Sequence, residues 1–117
     1  MRRVVITGLG LVTPLAASVN GSWNKLINSE SGIGNIEGFD TSDLPAKIAG
    51  HVPDASQEDG FDPNRCLEVK EQRKVDRFIA FAIDAADQAI KDSEWVADND
   101  TASYRSGVLI GSGIGGL

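Results

Sequence analysis

An α/β fold with a mostly parallel sheet is predicted by three features of this 117-residue chain. Val4 to Thr7 is a β-branched run bounded by Gly8 and Gly10, as in a buried strand entering a tight turn. Lys70 to Ser93 carries apolar residues at three- and four-residue steps, and "SGVLI" at Ser106 to Ile110 is a second apolar run leading into glycines. A strand, helices and a later strand in this order point to parallel strands joined by crossovers.

After the first strand and Pro14, Ser18 and Asn20 can both accept from the free N–H groups of a first helical turn. Trp23, Leu26 and Ile27 follow at helical spacing, and Gly32 and Gly34 supply the backbone freedom that ends a short helix. An irregular excursion then occupies about 36–69. It is clearest from Ile36 to Asn64, where several aspartates and three of the four prolines fall without a sustained period. Within it "AKIAGHV" (Ala46 to Val52) alternates as an edge strand does, and "PDASQEDGFDPN" is a solvated, turn-rich loop.

In the long helical segment, Val75, Phe78, Ile79, Ala82, Ile83, Ala86, Ala89 and Ile90 make one apolar face. Its members from Ala82 to Ala89 are mostly small, which lets a neighbour approach the helix axis closely. A polar connection, "EWVADNDTASYR", leads to the last strand and the glycines of "GSGIGG". Two or three parallel strands leave open edges and an uncovered face, so the chain is expected to be part of a larger layered unit.

Composition narrows the function. Eleven basic and seventeen acidic side chains give a net charge of −6, which disfavours nucleic acid and anionic lipid as partners. One cysteine allows no internal disulfide, and "MRRVVITGLG" has no apolar stretch of signal-peptide length, so the cytoplasm is the expected compartment. No apolar run approaches the ~20 residues that span a bilayer.

Gly111, Gly113 and Gly116 satisfy G-x-G-x-x-G, the pattern of dinucleotide-binding loops, but the helix and the downstream acidic residue that complete that site are missing. A crowded turn in which only glycine fits or reaches positive φ is the favoured reading, and "TGLG" after the first strand is read as a structural turn. Cys66 has Arg65 beside it, and a cation can lower a thiol's pKa. His51 is the single histidine, with no motif to bring it to Cys66, so structural roles are favoured for both. One Cys, one His and scattered aspartates make no metal site.

The basic cluster Arg65, Lys70, Arg73, Lys74 and Arg77 is a stronger signal. With three acidic residues in the same stretch its net charge is +2, opposite in sign to the chain's. Four of these residues fall at three- and four-residue steps, as a cationic stripe along the start of the long helix. Docking of an acidic partner and a solvated first turn, with Glu71 and Asp76 as local partners, are comparable readings of it. Basic residues there oppose the helix dipole, which favours a compensating use.

"RRVVITGLGLVTPLA", "SGIGNIEGFDTSDLPAKIAG", "KEQRKVDRFIAFAIDAADQAIKDS" and "GVLIGSGIGGL", in this order, resemble the amino-terminal part of the β-ketoacyl-acyl-carrier-protein synthases. The similarity is greatest to their elongating, synthase II branch and covers essentially the whole chain. It implies a thiolase-like layered α/β/α/β/α fold, of which residues 1–117 are the amino-terminal portion of the first half, the carboxy-terminal remainder being absent. It also implies decarboxylative Claisen condensation by a homodimeric acyltransferase that needs no cofactor. The family's reactive cysteine, in a threonine-alanine-cysteine context, and its two later histidines have no counterpart here, so no catalytic residue is assigned and the piece alone is expected to be inactive. Two features carry over. Lys70, Arg73 and Lys74 match the surface that meets the acidic acyl carrier protein. Gly113, Ile114 and Gly115 match a loop that places its isoleucine beside the acyl channel near the dimer interface. A carrier-binding module without chemistry, and less strongly a nucleotide-binding α/β domain, are the alternatives.

Overall fold

The computed structural model describes residues 1–116 and contains helices and one small sheet. α1 is Val19–Ile27, β1 Ile33–Asn35, β2 Ile48–Gly50, α2 Val69–Gln72, α3 Arg77–Ser93 and α4 Asp100–Arg105, with a single 3₁₀ turn at Pro63–Arg65.

Of the two cap candidates, Ser18 starts α1: its Oγ accepts from the Gly21 N–H at 3.1 Å. The helix ends earlier than its glycines suggest, because Ser29 takes a left-handed conformation at φ 60°. Gly34 lies instead in β1, which pairs antiparallel with β2 in the register Ile33↔Gly50, Gly34↔Ala49 and Asn35↔Ile48. β2 falls inside the stretch expected to form an edge strand.

The parallel sheet is a correction. Among the described residues the only sheet is this antiparallel pair, and neither Val4 to Thr7 nor Ser106 to Ile110 has a ladder partner. Their apolar side chains are open to solvent, Val4 at 92% and Leu109 at 97%. β-branched runs become strands only when a neighbour supplies the ladder bonds.

The long helix is corrected as well. α2 and α3 are separate, divided by a turn through Arg73 to Asp76. Asp76 is extended at φ −72°, ψ 156°, and stands at the N-cap position of α3. Asp76 is extended without a side-chain cap bond, and the preceding cations oppose a helix dipole, so the apolar period runs across a break in the backbone here. α4 lies in the segment expected to be a polar connection. Asn99 caps it, its Oδ1 accepting from the Ala102 N–H at 2.8 Å.

α3 organises the rest. Gly8 and Gly10 lie against its Ala85, Ala89 and Ser93, so closely that a β-carbon on Gly10 would overlap the Ala85 carbonyl oxygen. Leu9 N–H donates to Asp92 Oδ2 at 2.8 Å, and Leu11 exchanges two bonds with the Gln88 amide. A close approach is therefore present, but on a neighbouring face: of the small residues expected to receive it only Ala89 takes part, and Ala85 and Ser93 lie outside the apolar set. A compact core of Ala17, Phe61 and Ala80, backed by Val12, Val52, Cys66, Leu67 and Phe81, sits beside the first half of α3. Phe61 and Phe81 meet edge to face at 4.8 Å. The radius of gyration is 17.1 Å, against about 13 Å for a compact domain of this length.

Candidate functional site

Lys70, Arg73, Lys74 and Arg77 do not form one stripe, since they are divided between α2, the turn after it and the start of α3. Arg65 and Arg77 are tied into the fold. Arg65 Nη2 is 3.2 Å from the buried Asp84 carboxylate and also donates to the Ala17 carbonyl at 3.3 Å. Arg77 donates to the Val52 carbonyl at 3.4 Å and lies 5.2 Å over the Phe81 ring.

Lys70, Arg73 and Lys74 remain exposed on α2 and the turn after it. Lys70 pairs with Glu68 at 2.9 Å and Lys74 with Glu71 at 3.0 Å, both at the surface where such pairs contribute little and exchange readily. Among the described residues Arg73 has no ion pair. Lys70, Arg73 and Lys74, the expected docking residues, are thus the three cations of the stretch that make no ion pair or hydrogen bond with a distant part of the fold among the described residues, on a short helix and a turn.

The glycine loop lies at the start of α3. Gly113 has open space around it, and Ile114 is 83% exposed. Gly115, at φ 84°, rests on the Phe78 ring, and Gly116 sits beside the Asp76 carboxylate. Just before the loop, a mostly apolar cleft of about 320 Å³ runs between Phe78, Ala82 and Ala86 of α3 and the segment Val108 to Ser112. A larger cleft of about 610 Å³ opens between Phe61, Gln72, Val75 and Arg77. The neighbours of the loop, Asp76 and Phe78, were not identified from the sequence, since no spacing rule joins them to residues 113–116.

Cys66 is half-buried, and its thiol contacts the Pro63 and Ala80 carbonyls at 3.6 Å. Burial pushes its pKa up from the ordinary value, with the Asp84 charge acting in the same direction and Arg65 against it. The lowering by Arg65 is therefore outweighed. His51 is exposed and lines a polar cleft of about 410 Å³ near β1 and β2. No Cys66–His51 contact is present among the described hydrogen bonds. In the excursion, bonds from Ser56 lower the pKa of Asp54, and bonds from Ser42 lower that of Asp40, as in short side-chain-capped turns. Among the described residues no helix is long and apolar enough to cross a membrane.

An α/β chain with an exposed basic turn beside a glycine loop defines the class only coarsely. Comparison defines it further: residues 1–117 match the family described as "Beta-ketoacyl synthase, N-terminal domain", and the chain belongs to that family. It is 48% identical over 118 residues to the "3-oxoacyl-[acyl-carrier-protein] synthase 2" of Rhizobium meliloti (strain 1021), covering 100% of this chain and 28% of that protein. It is 47% identical to the protein of the same name from Coxiella burnetii (strain RSA 493 / Nine Mile phase I), covering 99% of this chain and 26% of that one. A "Putative 3-oxoacyl-[acyl-carrier-protein] synthase, mitochondrial" of Schizosaccharomyces pombe (strain 972 / ATCC 24843) is 36% identical, covering 100% of this chain and 28% of that protein. The chain thus spans about a quarter of the length of these relatives.

Proposed function

We propose that this chain is part of a fatty-acid-elongating acyltransferase of the synthase II type. In the full-length parent, a cysteine thiolate takes an acyl group from acyl carrier protein. Malonyl-carrier protein then loses carbon dioxide, and the resulting carbanion attacks the thioester. The tetrahedral intermediate collapses with release of the thiolate, leaving a β-ketoacyl-carrier protein two carbons longer. The reactive cysteine, the two histidines and the oxyanion-stabilising backbone N–H groups lie outside this chain. Cys66 and His51 have no part in the reaction, and the chain alone makes no product.

The observation that carries this reading is the family match from residue 1 to residue 117. Within it, Lys70, Arg73 and Lys74 receive the acidic carrier protein, and their exposure supports that role. A net charge of −6 would otherwise repel such a partner, so a local basic surface is needed. Gly113, Ile114 and Gly115 border the acyl channel near the interface of a cytoplasmic homodimer whose subunits have the thiolase-like layered fold. The Asp76 carboxylate beside Gly116 makes the loop a poor place for a phosphate.

The test is condensation by the full-length parent, given acyl-carrier protein and malonyl-carrier protein and followed by carbon dioxide release and product mass. Turnover by the parent and none by residues 1–117 is expected. A parent that binds carrier protein but never condenses would make this a docking module, and turnover by the isolated chain would place the reactive groups within it.

A further inference from the structure

The glycine loop is seated at one end only. A β-carbon placed on Gly107, Gly111 or Gly113 would meet nothing within 4 Å. On Gly115 it would come 3.0 Å from Cζ and 3.2 Å from Cε1 of Phe78, and on Gly116 it would come 2.5 Å from Asp76 Oδ2. Asp76 occupies the N-cap of α3, yet its side chain makes no capping hydrogen bond and stands against the loop instead. Ile114 is therefore flanked by unconfined backbone on one side and by a seat on the other. At φ 84°, Gly115 has a backbone conformation that other residues rarely adopt, so the chain direction after Ile114 depends on glycine and on the ring beneath it.

We infer that Phe78 and Asp76 are positioning residues for Ile114 and thereby determine which acyl chain lengths the parent enzyme accepts. The inference rests on the reading of Ile114 as a residue beside the acyl channel. A long chain needs Ile114 held aside, whereas a short chain never reaches it. Removing the ring frees the backbone at Gly115 to rotate, Ile114 is no longer held in one place, and ordering it again costs the long substrate alone.

The experiment compares kcat/KM for a long and a short acyl-carrier protein in the full-length parent, using Phe78→Ala, Phe78→Leu, Asp76→Asn and Gly115→Ala, with Ile114→Phe as reference. Phe78→Ala and Gly115→Ala are expected to lower the long-to-short ratio roughly tenfold, on the scale of a misfitted hydrophobic pocket. Asp76→Asn should lower it less, and Phe78→Leu, which keeps an apolar seat, should restore most of it. Gly115→Ala strains only the loop, at φ 84° and against the Phe78 ring, so it keeps the test open if Phe78→Ala does not fold. Equal losses for both substrates would mean a general fold defect and overturn the inference. If Ile114→Phe shifts the ratio and the seat variants do not, the seat fails alone. If Ile114→Phe leaves the ratio unchanged, the channel reading falls and takes this inference with it.

Discussion

Asp84 and Arg65 form an ion pair of unequal partners: the carboxylate side chain is 3% exposed and the guanidinium 41%, at 3.2 Å. The same carboxylate oxygen accepts from the Gln88 amide at 2.9 Å, and Gln88 and Arg65 both reach the carbonyl of the fully buried Ala17. Four stretches of chain, around residues 11, 17, 65 and 84–88, are thereby fastened at one point on α3. A charge this deep is tolerated because its partners are in place.

Asp84→Ala is expected to destabilise the folded protein by about 1–2 kcal/mol, since it removes the acceptor that Arg65 and Gln88 share, while Gln88 keeps the Leu11 and Ala17 carbonyls and the half-exposed Arg65 regains water. Asp84→Asn keeps an acceptor and should cost about half as much. Urea unfolding of the full-length parent measures both. Equal midpoints for wild type and Asp84→Ala would show that the node contributes no stability.

Gly10→Ala is expected to cost about 1–3 kcal/mol, because the added methyl overlaps the Ala85 carbonyl, a backbone atom that cannot turn aside. The segment must lift off α3, weakening the bonds between Leu11 and Gln88. Gly107→Ala, which meets open space, should stay within about 0.5 kcal/mol. Thermal melts of the two variants side by side test the difference. Similar losses would mean that conformational freedom, and not close packing, is why glycine stands at position 10.

The same contact shows what local sequence can and cannot reveal. That α3 has a close neighbour is legible from its small residues, because side-chain volume is a property of each residue alone, but Gly8 and Gly10 sit on Ala85, Ala89 and Ser93, a face of which only Ala89 belongs to the apolar set. α1 was legible from Ser18 and the spacing of Trp23, Leu26 and Ile27 for the same reason. The break at Asp76 was not, since Val75, Phe78 and Ile79 keep helical spacing across it and only the capping preference of one aspartate opposes them. α4 is one and a half turns long, too short for a period, although Asn99 followed by Asp100 is a start signal that was there to be used. The basic stretch stood out by its sign. Which of its cations are engaged within the fold depends on Asp84, Val52 and Phe81, partners that no local pattern brings to Arg65 and Arg77.

Cys66 should alkylate more slowly than a free cysteine at neutral pH and should match it after denaturation. Its raised pKa favours the neutral thiol in the fold. That contribution to stability is complete below the ordinary value of 9.0 and is lost as pH rises through the folded value. Iodoacetamide labelling of Cys66, followed by peptide mass spectrometry across pH, reads this directly. Labelling of the folded protein faster than that of the denatured protein would reveal an activated thiol and reopen a chemical role for it.

Arg73→Glu is expected to weaken carrier-protein binding more than either Lys70→Glu or Lys74→Glu. Lys70 and Lys74 are already partly neutralised by Glu68 and Glu71, while Arg73 has no ion pair among the described residues. Reversal at Arg73 should raise Kd about tenfold at low salt and clearly less at high salt, because charges at this surface interact through a screening length of about 10 Å at 0.1 M. Arg77→Glu would unfasten a contact with Val52 and Phe81, so it should lower stability and change binding with little salt dependence. Surface-mediated titration of the full-length parent with acyl carrier protein at several salt concentrations separates these cases. Salt-independent losses at Arg73, or the same loss at all four positions, would place the carrier protein on some other face.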